Sequence, residues 1–346
     1  MAARAFITGL SGLTISASER AFVREAQPWG LIIFKRNVDT PQQVTELTSS
    51  FRETVGWEAP VLVDQEGGRV QRLGPPHWPS FPAGAVYGAL YDQEKARGLA
   101  VARLAGHLIA AELNVLRIDV DCLPLADVLT PGANPVIGDR AYGSEPGKVA
   151  AIAGAIAEGL LAGGVLPVVK HLPGHGRATA DSHLKLPVVD NDRAELEATD
   201  FAAFKPLAGL PLGMTAHVVF SAIDPVAPAT TSVTIVRQVI RGFIGFRGLL
   251  MSDDVSMKAL SGTIAERSRA AFAGGCDVVL HCNGNLDEMT AVAAEAPKLA
   301  GEAAARAKDA LAQRKAPEEF DVDAARRIFL QMVNADCSPT QRKAGS

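Results

Sequence analysis

Eight short, unbroken apolar runs, separated by longer amphipathic stretches, constrain this chain more than any other feature. The runs cover residues 5–8, 31–34, 61–64, 116–119, 166–170, 214–217, 249–252 and 277–281. They are continuous rather than alternating, as expected for strands covered on both faces. Helical patterns lie at 18–26, 41–55, 93–113, 147–162, 193–204, 234–244 and 265–273, with a long one at 287–313. Thr40-Pro41 and Asp192-Arg193 carry helix-start chemistry, and Gly163-Gly164 and Gly274-Gly275 stand where helices stop. Eight strand–helix units predict an α/β fold, a single-domain (β/α)8 barrel. A doubly wound open sheet is the alternative, because strand order is not readable from the pattern. One domain over 1–337 and a tail at 338–346 are expected, with the Ala-rich C-terminal helix peripheral.

Composition narrows the function classes. Hydrophobic residues make up 48% of the 346 and charged residues 21%, so a large core can be buried. The formal net charge is −4 and the sequence pI near 6.0. No basic excess points to nucleic acid, and no run of like charge to a membrane surface. No segment is expected to reach the apolar length of a bilayer span. Cys122, Cys276, Cys282 and Cys337 match neither a paired zinc site nor a disulfide framework. The first ten residues read as a strand rather than a leader. The cytoplasm is the expected location. Neither a Gly-x-Gly-x-x-Gly in strand–helix context nor a Walker loop is present, and no cofactor is expected.

Polar residues collect at one end of the runs. The third run leads into Asp64-Gln65-Glu66-Gly67-Gly68-Arg69 and the fifth into Lys170-His171. The sixth ends in His217, the seventh in Ser252-Asp253-Asp254 and the eighth in His281-Cys282-Asn283. One strand ending in a polar residue at a surface needs no explanation; five on the rim where barrels build active sites point to chemistry.

The segment 170–183 is rich in Gly and His and reads as a loop over the strand ends. Asp181 and His183 are two residues apart, so a bend can set a carboxylate beside an imidazole and let the pair exchange a proton near neutral pH. The plainer alternative is that His175 and His183 only pin the loop. Asp253 and Asp254 offer a carboxylate nucleophile, but strand alternation does not say which points inward. The histidines also allow a barrel metal hydrolase. Against it, Pro173-Gly174 breaks any helix between His171 and His175, and the first run carries no His-x-His pair.

The motif Lys170-His171-Leu172-Pro173-Gly174-His175-Gly176, followed by Asp181-Ser182-His183, closely resembles the signature loop of glycoside hydrolase family 3, in particular its bacterial β-N-acetylglucosaminidases of cell-wall recycling. Residues 63–72 (Val-Asp-Gln-Glu-Gly-Gly-Arg-Val-Gln-Arg) and 251–257 (Met-Ser-Asp-Asp-Val-Ser-Met) are further matches. Weaker ones lie at 30–34, 134–140 and 281–283. The resemblance implies a TIM-like catalytic barrel and retaining removal of terminal β-linked N-acetylglucosamine. It implies Asp253 as nucleophile and His183 as acid/base tuned by Asp181. Asp64, Arg72, Arg140, Lys170 and His171 would bind the sugar, with no metal. The implied substrate is N-acetylglucosaminyl-1,6-anhydro-N-acetylmuramic acid, as disaccharide or muropeptide. A related exo-glycosidase such as a β-glucosidase is the nearest alternative. Two departures stand out: Leu172 replaces a common aromatic, and Asp119 and Asp121 make the fourth run unusually acidic.

Overall fold

The computed structural model describes residues 3–130, 132, 134–178, 182 and 185–334. Eight parallel strands close into a barrel: β1 Arg4–Thr8, β2 Pro28–Ile33, β3 Val61–Val63, β4 Val120–Asp121, β5 Leu166–Leu172, β6 Leu212–Thr215, β7 Leu249–Asp254 and β8 Val278–His281. Each strand pairs with the next in the chain, and β8 pairs with β1, Phe6 opposite Val279. Closure leaves this eight-stranded sheet without an edge and settles the choice between a barrel and an open sheet.

The unbroken apolar runs follow from burial on both faces. Ile7, Ile32, Leu62, Val120, Val168, Leu212, Met251 and Leu280 meet in one buried cluster that fills the barrel. The residues between them, among them Leu31, Ile33, Val61, Val63, Val169 and Leu250, pack outward with the helices. The tail at 338–346 lies outside the described residues.

Four expectations need correction. First, run 116–119 is not the fourth strand. Leu116 ends the helix Lys95–Val115, and Arg117 turns the chain at φ 58°. The Ile118 N–H returns to the Leu113 carbonyl at 3.0 Å, a helix-closing bond. The strand starts later, so Asp119 lies at its entry, paired with Arg52 and with Arg314 (2.5 Å), and Asp121 lies at its exit. Second, pattern 287–313 is two helices, Leu286–Glu295 and Gly301–Ala312. Ala296 precedes Pro297 and is extended at ψ 118°, since proline disfavours the helical region for the residue before it. Third, Lys95–Val115 is by length and composition long and apolar enough to cross a membrane, contrary to expectation. In the fold it is a core helix, with Val101, Ala105, Leu108, Ile109 and Leu113 buried among its neighbours. Fourth, the C-terminal helices are not peripheral. Ala307 and Ala310 join the barrel cluster, and Phe329 of Val322–Asn334 packs on Phe81, ring centroids 6.0 Å apart.

Candidate active site

The C-terminal ends of β3, β5 and β7 open into one cleft of about 240 Å³. Asp64, Arg72, Arg140, Lys170, His171 and Asp253 all line it. Asp181 and His183 lie outside the described residues.

Asp64 leaves β3 where a short hairpin begins. Gln65–Gly67 pairs antiparallel with Val70–Gln71. The hairpin returns Arg72 to Asp64, Nη2 donating to Oδ2 at 2.9 Å. Lys170 reaches across from β5, its Nζ 2.9 Å from Asp64 Oδ1 and 2.7 Å from Glu66 Oε1. Arg140 forks onto Glu66 with two bonds of 2.8 Å. Two carboxylates and three cations thus interlock on the cleft floor. Burial alone would raise both acids. For Asp64 it is outweighed by Lys170 and Arg72, which hold the carboxyl well below its ordinary range. Glu66 is lowered by Lys170 and Arg140 in the same way. Lys170 and Arg140 lose solvation but are raised by their carboxylate partners. Asp64, Glu66, Lys170 and Arg140 therefore keep their charges across the neutral range, presenting fixed acceptors and donors to a polar ligand.

Beneath the β5 exit, Asp127 organises the loop. Its Oδ2 lies 2.7 Å from His171 Nδ1, and its Oδ1 accepts the His175 N–H at 2.7 Å and the His171 N–H at 3.2 Å. Burial opposes the charge of Asp127, but His171 and His175 bring its pKa down to about 2. His175 is pushed down to about 4, by burial first and by His171 second, so its ring is neutral at pH 7. Its Nε2 lies 3.1 Å from Ser182 Oγ.

The two aspartates at the end of β7 differ in what they hold. Asp254 Oδ1 accepts the N–H groups of Ser256 (3.0 Å) and Cys282 (3.1 Å), and its Oδ2 accepts Ser256 Oγ–H at 2.6 Å. That carboxylate knits a turn. Asp253 Oδ1 accepts the Asp254 N–H at 2.7 Å, and the half-buried side chain borders the cleft. His217 supports the same turn. Its Nε2–H donates to the Asp254 carbonyl at 3.0 Å, while Nδ1 lies 2.7 Å from Thr230 Oγ1.

Of the five polar run ends, three supply charged groups to the cleft. His217 and His281 instead act as struts, His281 bonding Glu288 at 3.0 Å. Among the described residues no three His, Cys, Asp or Glu side chains converge as a metal cage. Glu66 and Asp127 escaped the sequence reading. Glu66 sat among the polar residues quoted after the third run, with no role assigned to it. Asp127 is an acid within the apolar stretch Leu125-Ala126-Asp127-Val128-Leu129. A charge with no reason to be buried was the available signal.

Comparison with known proteins bears on this cleft. Residues 6–314 match the glycosyl hydrolase family 3 N-terminal domain. A protein named beta-hexosaminidase from Alkalilimnicola ehrlichii is 40% identical over 279 residues, 80% of this chain and 79% of the relative. Another of that name, from Aromatoleum aromaticum, is 34% identical over 318 residues, 91% and 89% of the two chains. The structure of NagZ from Neisseria gonorrhoeae in complex with N-trifluoroacetyl-D-glucosamine aligns with a TM-score of 0.84 at 29% identity, over 97% of both chains.

Proposed function

The chain belongs to glycosyl hydrolase family 3 and is a glycosidase, and from that premise we propose that it is a retaining exo-β-N-acetylglucosaminidase with Asp253 as nucleophile. The observation that carries this reading is the division of labour at the end of β7. Both aspartates border the cleft, whose floor is an ionised Asp64 held by Lys170 and Arg72, but both carboxylate oxygens of Asp254 are engaged in holding its turn. Asp64 accepts hydroxyl protons of the terminal sugar, while Lys170, Arg72, Arg140 and His171 surround it.

In the first step Asp253 bonds to the anomeric carbon as the glycosidic C–O bond breaks. The His183 imidazolium, paired with Asp181, donates its proton to the leaving oxygen. In the second step neutral His183 takes a proton from water, water attacks the anomeric carbon, and the Asp253 ester bond breaks. The substrate is N-acetylglucosaminyl-1,6-anhydro-N-acetylmuramic acid, with or without its peptide, released in cell-wall recycling. In this reading the enzyme works in the cytoplasm. The free, buried thiols Cys122, Cys276 and Cys282 suit a reducing compartment.

A 5-fluoro-N-acetylglucosaminyl fluoride should accumulate the covalent intermediate, and peptide mapping should place the sugar on Asp253. Label on Asp254 would refute the assignment. Asp253→Ala should lower kcat by at least about 10³-fold with sugar binding retained. Across a panel of nitrophenyl glycosides the N-acetylglucosaminide should be cleaved fastest, and preference for the glucoside would identify a β-glucosidase instead.

A further inference from the structure

The hairpin after β3 grips the loop at 134–140 with two side chains three residues apart. Gly67 and Gly68 sit at φ +93° and +57°, where a side chain is strained, and that turn directs both Glu66 and Arg69 at the loop. Glu66 holds Arg140 through the fork already described. Arg69 lies in a cup of backbone. Its Nη2 donates to the carbonyls of Pro135 (2.8 Å), Val136 (2.7 Å) and Ile137 (3.2 Å), and its Nε to Asp139 Oδ1 at 3.0 Å. Gly138, at φ +45°, lets the chain close around the guanidinium. The loop is also tied at its start, the Asn134 N–H donating to the Ala178 carbonyl at 2.8 Å.

The inner side of this loop is a wall of the cleft, formed by Val136 and Ile137 with Val70 beside them. Exposure sorts the lining by depth. Lys170 and His171 are 2% and 7% exposed, while Val70 and Val136 are half-buried and the Arg69 side chain is 45% exposed. An exo-acting enzyme seats the terminal sugar on the floor and leaves the departing unit at the mouth, against Val70 and Val136. The Arg69–Asp139 ion pair is exposed at both ends, so its Coulomb attraction stabilises little. What Arg69 adds is geometry, three successive carbonyls held by one planar group.

Resting on the glycosidase reading above, we propose that Arg69 is a positioning residue for the leaving group. It fixes 135–137 as the wall that receives the departing unit, without touching the reacting atoms. The test compares Arg69→Ala and Arg69→Lys with the unchanged enzyme on two substrates: the N-acetylglucosaminyl-anhydromuramic acid disaccharide and the small p-nitrophenyl N-acetylglucosaminide. For Arg69→Ala, kcat/KM on the disaccharide should fall about tenfold, chiefly through KM, with the aryl substrate within about twofold. Arg69→Lys should recover part of the loss, because one ammonium can hold one or two of the carbonyls. Equal losses on both substrates, or no loss on either, would overturn the proposal. Hydrogen exchange reads the latch without any substrate. Amides across 134–141 should exchange faster in Arg69→Ala while those of β1–β8 stay protected. Unchanged exchange at 134–141 overturns the latch whatever the activity. An unchanged enzyme inert on both substrates overturns the N-acetylglucosaminidase reading alone, since the exchange result still decides the latch.

Discussion

At the scale of the residue, Asp64 and Asp121 show how one environment splits two carboxyls. Asp64 has two cations within hydrogen-bond reach and stays ionised. Asp121 is wholly buried; its Oδ1 accepts the Gln65 N–H at 3.0 Å, and its Oδ2 has no partner among the described residues. Burial pushes its carboxyl well above the ordinary range. The Gln65 N–H and Lys170 oppose the shift, and Asp64 and Glu66 reinforce it. Asp121 therefore binds a proton more tightly folded than unfolded. The stability this contributes is full below the unfolded pKa of about 3.9 and is lost as pH rises through the folded value. Asp121→Asn cannot ionise and so avoids that loss. Urea denaturation should show the variant gaining stability relative to the unchanged chain as pH rises above about 4. A stability difference independent of pH would mean that Asp121 is ionised in the fold.

At the scale of the element, helix boundaries follow their caps where the cap is local. Thr40 accepts the Gln43 N–H, Pro41 takes the first turn, and Gly56 at φ 81° ends the helix Pro41–Val55 on the expected residues. The helix Ala17–Ala26 begins with a capping box that the sequence reading did not isolate. Ser16 Oγ accepts the Glu19 N–H at 3.2 Å and Glu19 Oε2 accepts the Ser16 N–H at 2.9 Å. Glu19 is buried and also accepts the Ser11 N–H at 2.7 Å, fastening the loop after β1 to the helix. Ser16→Ala should cost about 1 kcal/mol in chemical denaturation. Glu19→Ala should cost about 2 kcal/mol, because it strands two N–H groups rather than one. Equal losses would mean that the Ser11 bond adds nothing. The pattern at 234–244 is helical but wound wider, as Ile235–Phe243, with the Ile244 N–H reaching back to Val239. Apolar periodicity reports a buried face and is insensitive to that change of winding.

At the scale of the whole molecule, the barrel is braced by chain that follows its last strand. Gly301–Ala312 packs Ala307 and Ala310 into the barrel cluster. Val322–Asn334 crosses to the opposite half of the sequence, where Arg97 donates to the Met332 carbonyl at 2.6 Å and Arg326 pairs with Glu112 at 2.6 Å. Phe329, 4% exposed, is the apolar anchor of that contact. Phe329→Ala should lower unfolding free energy by about 3 kcal/mol, read from the urea midpoint at unchanged slope. A loss below about 0.5 kcal/mol, the range of an ordinary surface substitution, would show the helix to be detachable. Because Phe81 follows the hairpin that carries Glu66 and Arg69, with the Gly68 N–H donating to the Phe81 carbonyl at 2.9 Å, this distant anchor also borders the support of the cleft.

The sequence by itself determined the α/β class, the number of strands, most helix positions and the residue types at the strand ends. These depend on hydrophobic periodicity and local capping, which act over a few residues and are written locally. It also placed Asp253 and Asp254 together; strand alternation did not choose between them, and only the family resemblance pointed to Asp253. Tertiary structure decided closure into a barrel, the late start of β4, and the use of the Asp254 carboxylate to hold the turn after β7. It also brought in Glu66 and Asp127, which the reading of the chain had passed over. Those outcomes depend on pairings such as Lys170 with Asp64, 106 residues away, and His171 with Asp127, 44 away. Charge pairing in a buried site is set by where the barrel brings strand ends together, and no local pattern encodes it.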